Sequence, residues 1–356
     1  MAKRIREADL LKALDEHTAH ADELANPLPG ELTPLEKLRG SVKKYDRPTD
    51  PVWDEFFDSE GVSDDFMPDR DQPLNSERDS VSTERHDASL IVITHAEAQP
   101  FYELPYRTSG TRHPERRHLP FFRAFATGIP HGVQSLVFTS DLQGRELGGA
   151  NRLLGEVVAD TIRGLVKNGK IPSPDAIFAC GDLYDYPDCH KRGGTGPVDE
   201  VFEALAKVAP QVVGVLGNHD VLINLEGLPS NVDILDGNVV KVAGGLKVGG
   251  VSGIIGDPNR HHRKGEEEFL TVMERVTNQK PDILLLHQGP SDPNRPERRG
   301  DSDVELSLRS GFEGLTVFGH TRWGAPWLIP LGDGQALNVD ARVVVVVPNF
   351  ENDELR

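Results

Sequence analysis

With 356 residues, a formal net charge of −18 and 27 % charged residues, the chain has room for one large domain plus an extension. Its acidity disfavours binding to nucleic acid or anionic lipid through bulk charge. No apolar run reaches the ~18 residues of a membrane span, the opening MAKRIREADL has no apolar signal segment, and two cysteines, Cys180 and Cys189, make no disulfide framework; a cytoplasmic location is expected.

Residues 1–85 hold 21 Asp and Glu against 12 Lys and Arg, half of the net charge in a quarter of the chain. Leu10, Leu11, Leu14, Ala21 and Leu24 fall at helical spacing, which predicts an amphipathic helix over 7–25. RPTDPVWDEFFDSEGVSDDFMPDRDQP follows. It reads as an acidic linker, or as a docking segment whose Trp53, Phe56 and Phe57 pack on a protein partner or on the core. Residues 86–130 form a connecting region of uncertain structure, in which SLIVITH has strand character and RTSGTRHPERRH reads as a basic loop. From 131 to 350 strand-like runs (VQSLVFTSD, DAIFACGD, QVVGVLGNHD, LKVGGVSG, PDILLLHQG, GLTVFGH, ARVVVVV) alternate with helical patterns at 153–166, 198–208 and 269–276. This alternation predicts an α/β domain, with mixed or antiparallel strands in its helix-poor later part.

Five runs end in a residue that can bind a metal: Asp141 after VFTS, Asp182 after IFACG, Asn218 after VVGVLG, His287 after ILLL and His320 after LTVFG. Ligands of open α/β sheets bind beyond the carboxyl ends of the strands. Two carboxylates, an amide oxygen and two imidazoles at one sheet edge make a mixed O/N site for a divalent ion.

The order of DLQG, GDLYD, GNHD, HQG and GHTR over residues 141–322 resembles the calcineurin-like metallophosphoesterase superfamily. The resemblance covers roughly residues 131–348 and leaves out the N-terminal third. It implies a metallophosphoesterase-type β-sandwich flanked by helices, here preceded by the acidic helical or irregular extension. It also implies two divalent ions: Asp182 bridging them, Asn218, His287 and His320 completing one, and Asp141 binding the other. His219 matches the residue that contacts the scissile phosphate and protonates the leaving oxygen. The implied function is hydrolysis of a phosphomonoester, a phosphodiester or a nucleotide pyrophosphate. A non-catalytic binding module on the same fold and a nuclease are the alternatives.

Two positions depart from the family pattern, both on the ion held by Asp141: Gln143 stands where a His is usual, and Arg322 where many members have a second His. Gln143 can bind through its amide oxygen, the ion can be weak with Arg322 clamping the phosphate directly, or the site can have lost turnover. An oxygen-richer site favours Mn²⁺, then Mg²⁺, over Zn²⁺, with Fe a further option. Three stretches are basic, Arg107–His118, Arg260–Lys264 and Arg295–Arg299; they read as solvated loops or as a rim that gathers a phosphorylated small molecule or nucleotide. The second, after VGGVSGIIGDP, and the third, close after His287, are the better placed. Asp185 reads as orienting a ligand or capping a helix, and Asp340 as a turn or strand-edge carboxylate rather than a catalytic one.

Overall fold

Strands in this chain are short β-branched and aromatic runs, and two stacked sheets collect nearly all of them. A computed structural model describes residues 90–110, 113–191 and 193–349. The helix expected at 7–25 and the Trp53, Phe56 and Phe57 segment lie outside the described residues.

The strands are β1 (Val92–Ala96), β2 (Tyr102–Thr108), β3 (Glu115–Thr127), β4 (Leu136–Ser140), β5 (Ala176–Ala179), β6 (Gly196–Pro197), β7 (Val212–Gly214), β8 (Asp220–Val221) and β9 (Val232–Ile234). Then come β10 (Asn238–Lys241), β11 (Lys247–Val251), β12 (Ile254–Ile255), β13 (Arg263–Lys264), β14 (Ile283–Leu286), β15 (Leu315–Phe318), β16 (Leu328–Leu331), β17 (Gly334–Asn338) and β18 (Arg342–Pro348). The first sheet runs β1-β3-β18-β4-β5-β7-β9 with β2 on β3, and the second β10-β11-β14-β15-β17-β16. Among the described residues four α-helices follow in chain order: α1 (Leu154–Lys167), α2 (Asp199–Ala206), α3 (Glu266–Thr277) and α4 (Ser302–Gly311).

Leu154, Val158, Ile162 and Leu165 bury one face of α1, and with Val201, Phe202 and Leu205 of α2 they cover the first sheet. Phe269 and Met273 of α3 with Val304 and Leu308 of α4 cover the second. Between the sheets lie Phe138, Phe178, Val213, Leu285, Val317 and Val344, each such buried side chain contributing about 1.5–3 kcal/mol. The architecture is therefore a β-sandwich with helices on both outer faces.

Three readings change. First, SLIVITH leads into β1 as expected, but the basic stretch is not simply a loop: its two ends, 107–108 and 115–118, belong to the β2–β3 hairpin, in which Thr108 pairs with Glu115. Its strands alternate, with Leu104, Tyr106, Leu119 and Phe121 inward and the charges outward. Second, ALNVDARVVVV is two strands: β17 ends in the second sheet and β18 begins in the first, joined by a turn in which Ala341 has φ 48°. Third, α4 appears where no helix was expected; Asp301 caps it by accepting from Asp303 N and Val304 N.

Candidate metal centre

Parallel pairing of β4 with β5 and of β5 with β7 sets three strand ends side by side. Parallel pairing of β14 with β15 does the same in the second sheet. Asp141, Asp182 and Asn218 come from the first set, His287 and His320 from the second. Ligand-type atoms of Asp182, His287 and His320 lie within 4.8 Å of one another, and all three residues are buried. The two imidazole rings are 5.0 Å apart between centroids.

Asp141 Oδ2 accepts from the Ser140 hydroxyl at 2.7 Å and from His320 N–H at 2.9 Å. Its Oδ1 is buried with no hydrogen-bond partner among the described residues, and so is Asn218 Oδ1. Asp182 Oδ1 accepts from His219 N–H at 3.1 Å, and Oδ2 from the Gln143 amide at 3.3 Å. His287 Nδ1 lies 2.6 Å from the Cys180 carbonyl and donates to it, which turns Nε2 toward Asp182 Oδ1 at 3.4 Å.

The local backbone is strained to reach this arrangement. Asp141, Asp182 and His320 have φ of 53°, 54° and 65°, a left-handed conformation costing a non-glycine residue about 1–2 kcal/mol. Such strain persists only where the surroundings over-determine it. The neighbouring glycines are steric necessities: a Cβ on Gly319 would strike Ser140 Oγ and Asp141 Oδ2, and one on Gly217 would strike Asp182 Oδ1.

Electrostatics calls for cations here. Burial, with repulsion from Asp340 and Asp182, pushes Asp141 well above the usual carboxylate range. Burial works against a charged His287, yet the Asp182 and Asp141 carboxylates outweigh it and push the imidazole up to about 10. Unpartnered Asp141 Oδ1 and Asn218 Oδ1 beside a crowded carboxylate and two imidazoles therefore fit divalent metal.

Residues 135–323 match the calcineurin-like phosphoesterase family. The chain belongs to that family. It is thus a phosphoester hydrolase of a metal-dependent, generally dinuclear kind. Among solved structures it is similar to TT1561 of Thermus thermophilus, at 20 % identity and TM-score 0.42 over 59 % of this chain and 90 % of that one. It is also similar to the phosphopantetheinyl hydrolase PptH from Mycobacterium tuberculosis (14 %, TM-score 0.33, 59 % and 90 %) and to purple acid phosphatase PPD1 from yellow lupin (15 %, TM-score 0.31, 67 % and 47 %). No curated protein matches it.

Around this candidate centre stand two residues that the motifs did not single out as functional, Asp220 and Asn338, along with several that they did. Asp220, the last residue of GNHD, is fully buried and accepts from Asp182 N at 2.7 Å, Leu183 N at 2.7 Å and Gly217 N at 2.8 Å. One carboxylate thus ties the GDLYD loop to the GNHD loop. Asn338 does the same for GHTR, donating to Thr321 O at 2.8 Å and accepting from Trp323 N at 3.3 Å. His219 Nδ1 meets Thr195 Oγ1 at 3.1 Å. Arg322 is exposed, two residues past His320. Asp185 neither orients a His ligand nor caps a helix; it accepts from Tyr186 N at 2.8 Å and Thr108 Oγ1 at 3.5 Å.

Asp340 belongs to the site's surroundings. β18 runs antiparallel to β4, so its beginning lies at the end of β4, where Asp340 bridges to Ser140. It is 5 % exposed and faces Arg342, Arg322, His320 and His287.

Each basic stretch meets a motif loop. Thr108 Oγ1 donates to Gln143 O at 3.0 Å, His261 Nε2 to Asp220 O at 2.7 Å, and the Arg299 carbonyl accepts from Thr321 Oγ1 at 3.0 Å. The first stretch is thus as close to the motifs as the other two.

Proposed function

We propose that this chain hydrolyses a phosphomonoester, a phosphodiester or a nucleotide pyrophosphate, with Asp141, Asp182, Asn218, His287 and His320 holding two divalent ions, Mn²⁺ first among the candidates. One observation carries the reading: the buried, unpartnered Asp141 Oδ1 and Asn218 Oδ1 at the strand ends that bring Asp182, His287 and His320 together. When bound, the ions supply a water of pKa near ~7 and screen charge on phosphorus.

The protein's own groups do the rest. Asp182 has two oxygens to share between two ions, and His219 N–H and the Gln143 amide hold that carboxylate in place. Turned by half a rotation, the same amide would offer Oε1 to the ion on the Asp141 side. His219, steadied by Thr195, gives its proton to the leaving oxygen, and Arg322 answers the charge of the phosphate. Cys180 and Cys189 are buried and unbonded to each other, which fits a cytoplasmic location. Among the described residues no helix is long and apolar enough to cross a membrane.

The test compares p-nitrophenyl phosphate with bis-p-nitrophenyl phosphate in Mn²⁺, Mg²⁺ or Zn²⁺, with Asp182→Asn as the blank. Metal-dependent release absent from the blank supports the reading, and the preferred ester separates monoesterase from diesterase. Release that is equal in the blank sinks it.

A further inference from the structure

The loop after His320 is fastened on every side, and arginines do much of the fastening. The Arg299 carbonyl accepts from Thr321 Oγ1 at 3.0 Å and from Trp323 Nε1 at 2.8 Å. Those two residues flank Arg322 in the chain, so the bonds pin the Arg299 backbone against the Arg322 loop. Arg298 is buried, pairs with Asp292 at 2.8 Å and lies over the Trp323 ring at 5.3 Å. Arg342 is buried too; it donates to Trp323 O at 2.7 Å and lies over Trp327 at 5.5 Å.

Two buried guanidinium groups, the exposed Arg322 and the backbone of Arg299 therefore meet at one loop of a chain whose net charge is −18. Two carboxylates answer them: Asp292, taken up by Arg298, and Asp340, which faces Arg342 and Arg322. Three further observations point to an anion. Arg342 Nη1 is a buried donor with no hydrogen-bond partner among the described residues. Burial, with Arg322 and Arg298 nearby, brings Arg342 down to about 10 against the pull of Asp340. Arg299 and Arg322 are both exposed and make no side-chain hydrogen bond or ion pair among the described residues.

We propose that Arg299 and Arg322 form an anion subsite beside the metal centre, which takes a second phosphate group of the substrate. The inference rests on the phosphoester-hydrolase reading and narrows it. The scissile phosphate belongs at the strand ends with His219. Arg322 follows His320 by two residues, and the Arg299 backbone carbonyl bonds both of Arg322's chain neighbours. Guanidinium forks grip phosphate oxygens in pairs, and the pinned backbone spares the loop, though not the side chains, its ordering cost. The enzyme would therefore favour a nucleoside diphosphate or a bisphosphate over the corresponding monophosphate.

Calorimetric titration of the Mn²⁺-loaded full chain with AMP, ADP and adenosine 3′,5′-bisphosphate tests this at constant free Mn²⁺. At least one doubly phosphorylated nucleotide should bind about tenfold more tightly than AMP, the scale of a charge-assisted hydrogen bond. Arg299→Gln should cut that ratio to about one to two, because the anchoring bonds go to its backbone carbonyl and survive the change. Arg299→Lys should keep part of the advantage. Equal affinity for all three nucleotides, or an advantage that survives Arg299→Gln, overturns the subsite. Turnover would show as continuing heat after each binding pulse, so a chain that binds in this pattern yet hydrolyses no ester would refute the hydrolase reading alone.

Discussion

Asp220 shows how much a single side chain can organise without touching a metal. Its two oxygens take three backbone N–H groups from the loops that carry Asp182 and Asn218. Asp220→Asn puts an NH₂ where an N–H donor arrives, so stability should drop by about 2–4 kcal/mol and bound metal should fall with it. Urea unfolding and a metal count check both. Asn218 and His219 were legible because their chemistry is exceptional at a strand end; Asp220 was only their neighbour, since its partners are backbone groups far away in sequence. Asp185 offers a pH test. Burial, the largest influence, pushes it up to about 6 from 3.8, so the folded state holds that proton more tightly than the unfolded chain. The resulting stability is present at low pH and is lost as pH rises from about 4 through 6. Relative to Asp185→Asn, which stays neutral, the wild type should lose about 1–3 kcal/mol between pH 4 and pH 7. Parallel denaturation curves of the metal-free proteins would show no such divergence if Asp185 were ordinary.

At the level of elements, the strands that lead to the candidate ligands were the easiest to read. LVFTS, AIFA, VVG, ILLL and LTVF are buried throughout, so each reads as a mostly apolar run that gives way to a metal-ligand type of residue. The β2–β3 hairpin hid because one of its faces is charged and Pro105 and Pro120 interrupt it. α4 hid because Ser302–Gly311 buries only Val304, Glu305 and Leu308, too sparse a stripe to stand out. The split between β17 and β18 is a tertiary event at Asp340 and Ala341, and apolar patterning does not record which sheet a strand joins. Strand ends also set a tight tolerance. Gly319→Ala would drive a methyl into Ser140 Oγ and Asp141 Oδ2, and overpacking of this kind costs about 1–3 kcal/mol. The variant should melt earlier and bind less metal, whereas Gly149→Ala, with open space around its Cβ position, should do neither. A thermal melt and a metal count on both variants decide the matter.

Across the whole molecule the candidate centre is a junction. Asp141, Asp182 and Asn218 stand on the first sheet, His287 and His320 on the second, and apolar packing joins the sheets beneath them. Ions held at that rim would add a polar tie between the layers and neutralise carboxylates that burial and mutual repulsion now penalise. Mn²⁺ should therefore stabilise the fold, by about 2.7 kcal/mol when free metal stands at a hundred times its dissociation constant. Asp182→Asn separates this stabilisation from folding itself. Removing one negative charge relieves Asp141, for which Asp182 is one of the repelling neighbours, but it also takes away the carboxylate 3.4 Å from buried His287. The two effects oppose, so the metal-free variant should melt close to metal-free wild type. It should also lose most of the Mn²⁺-induced shift and all measurable turnover, because no remaining side chain can serve both ions. Thermal melts of the two proteins with and without Mn²⁺, alongside an ester-hydrolysis assay, measure the three quantities. An undiminished Mn²⁺ shift in Asp182→Asn would remove Asp182 from the bridging position, and a variant that melts far below wild type would mean that Asp182 holds the sheets together without metal.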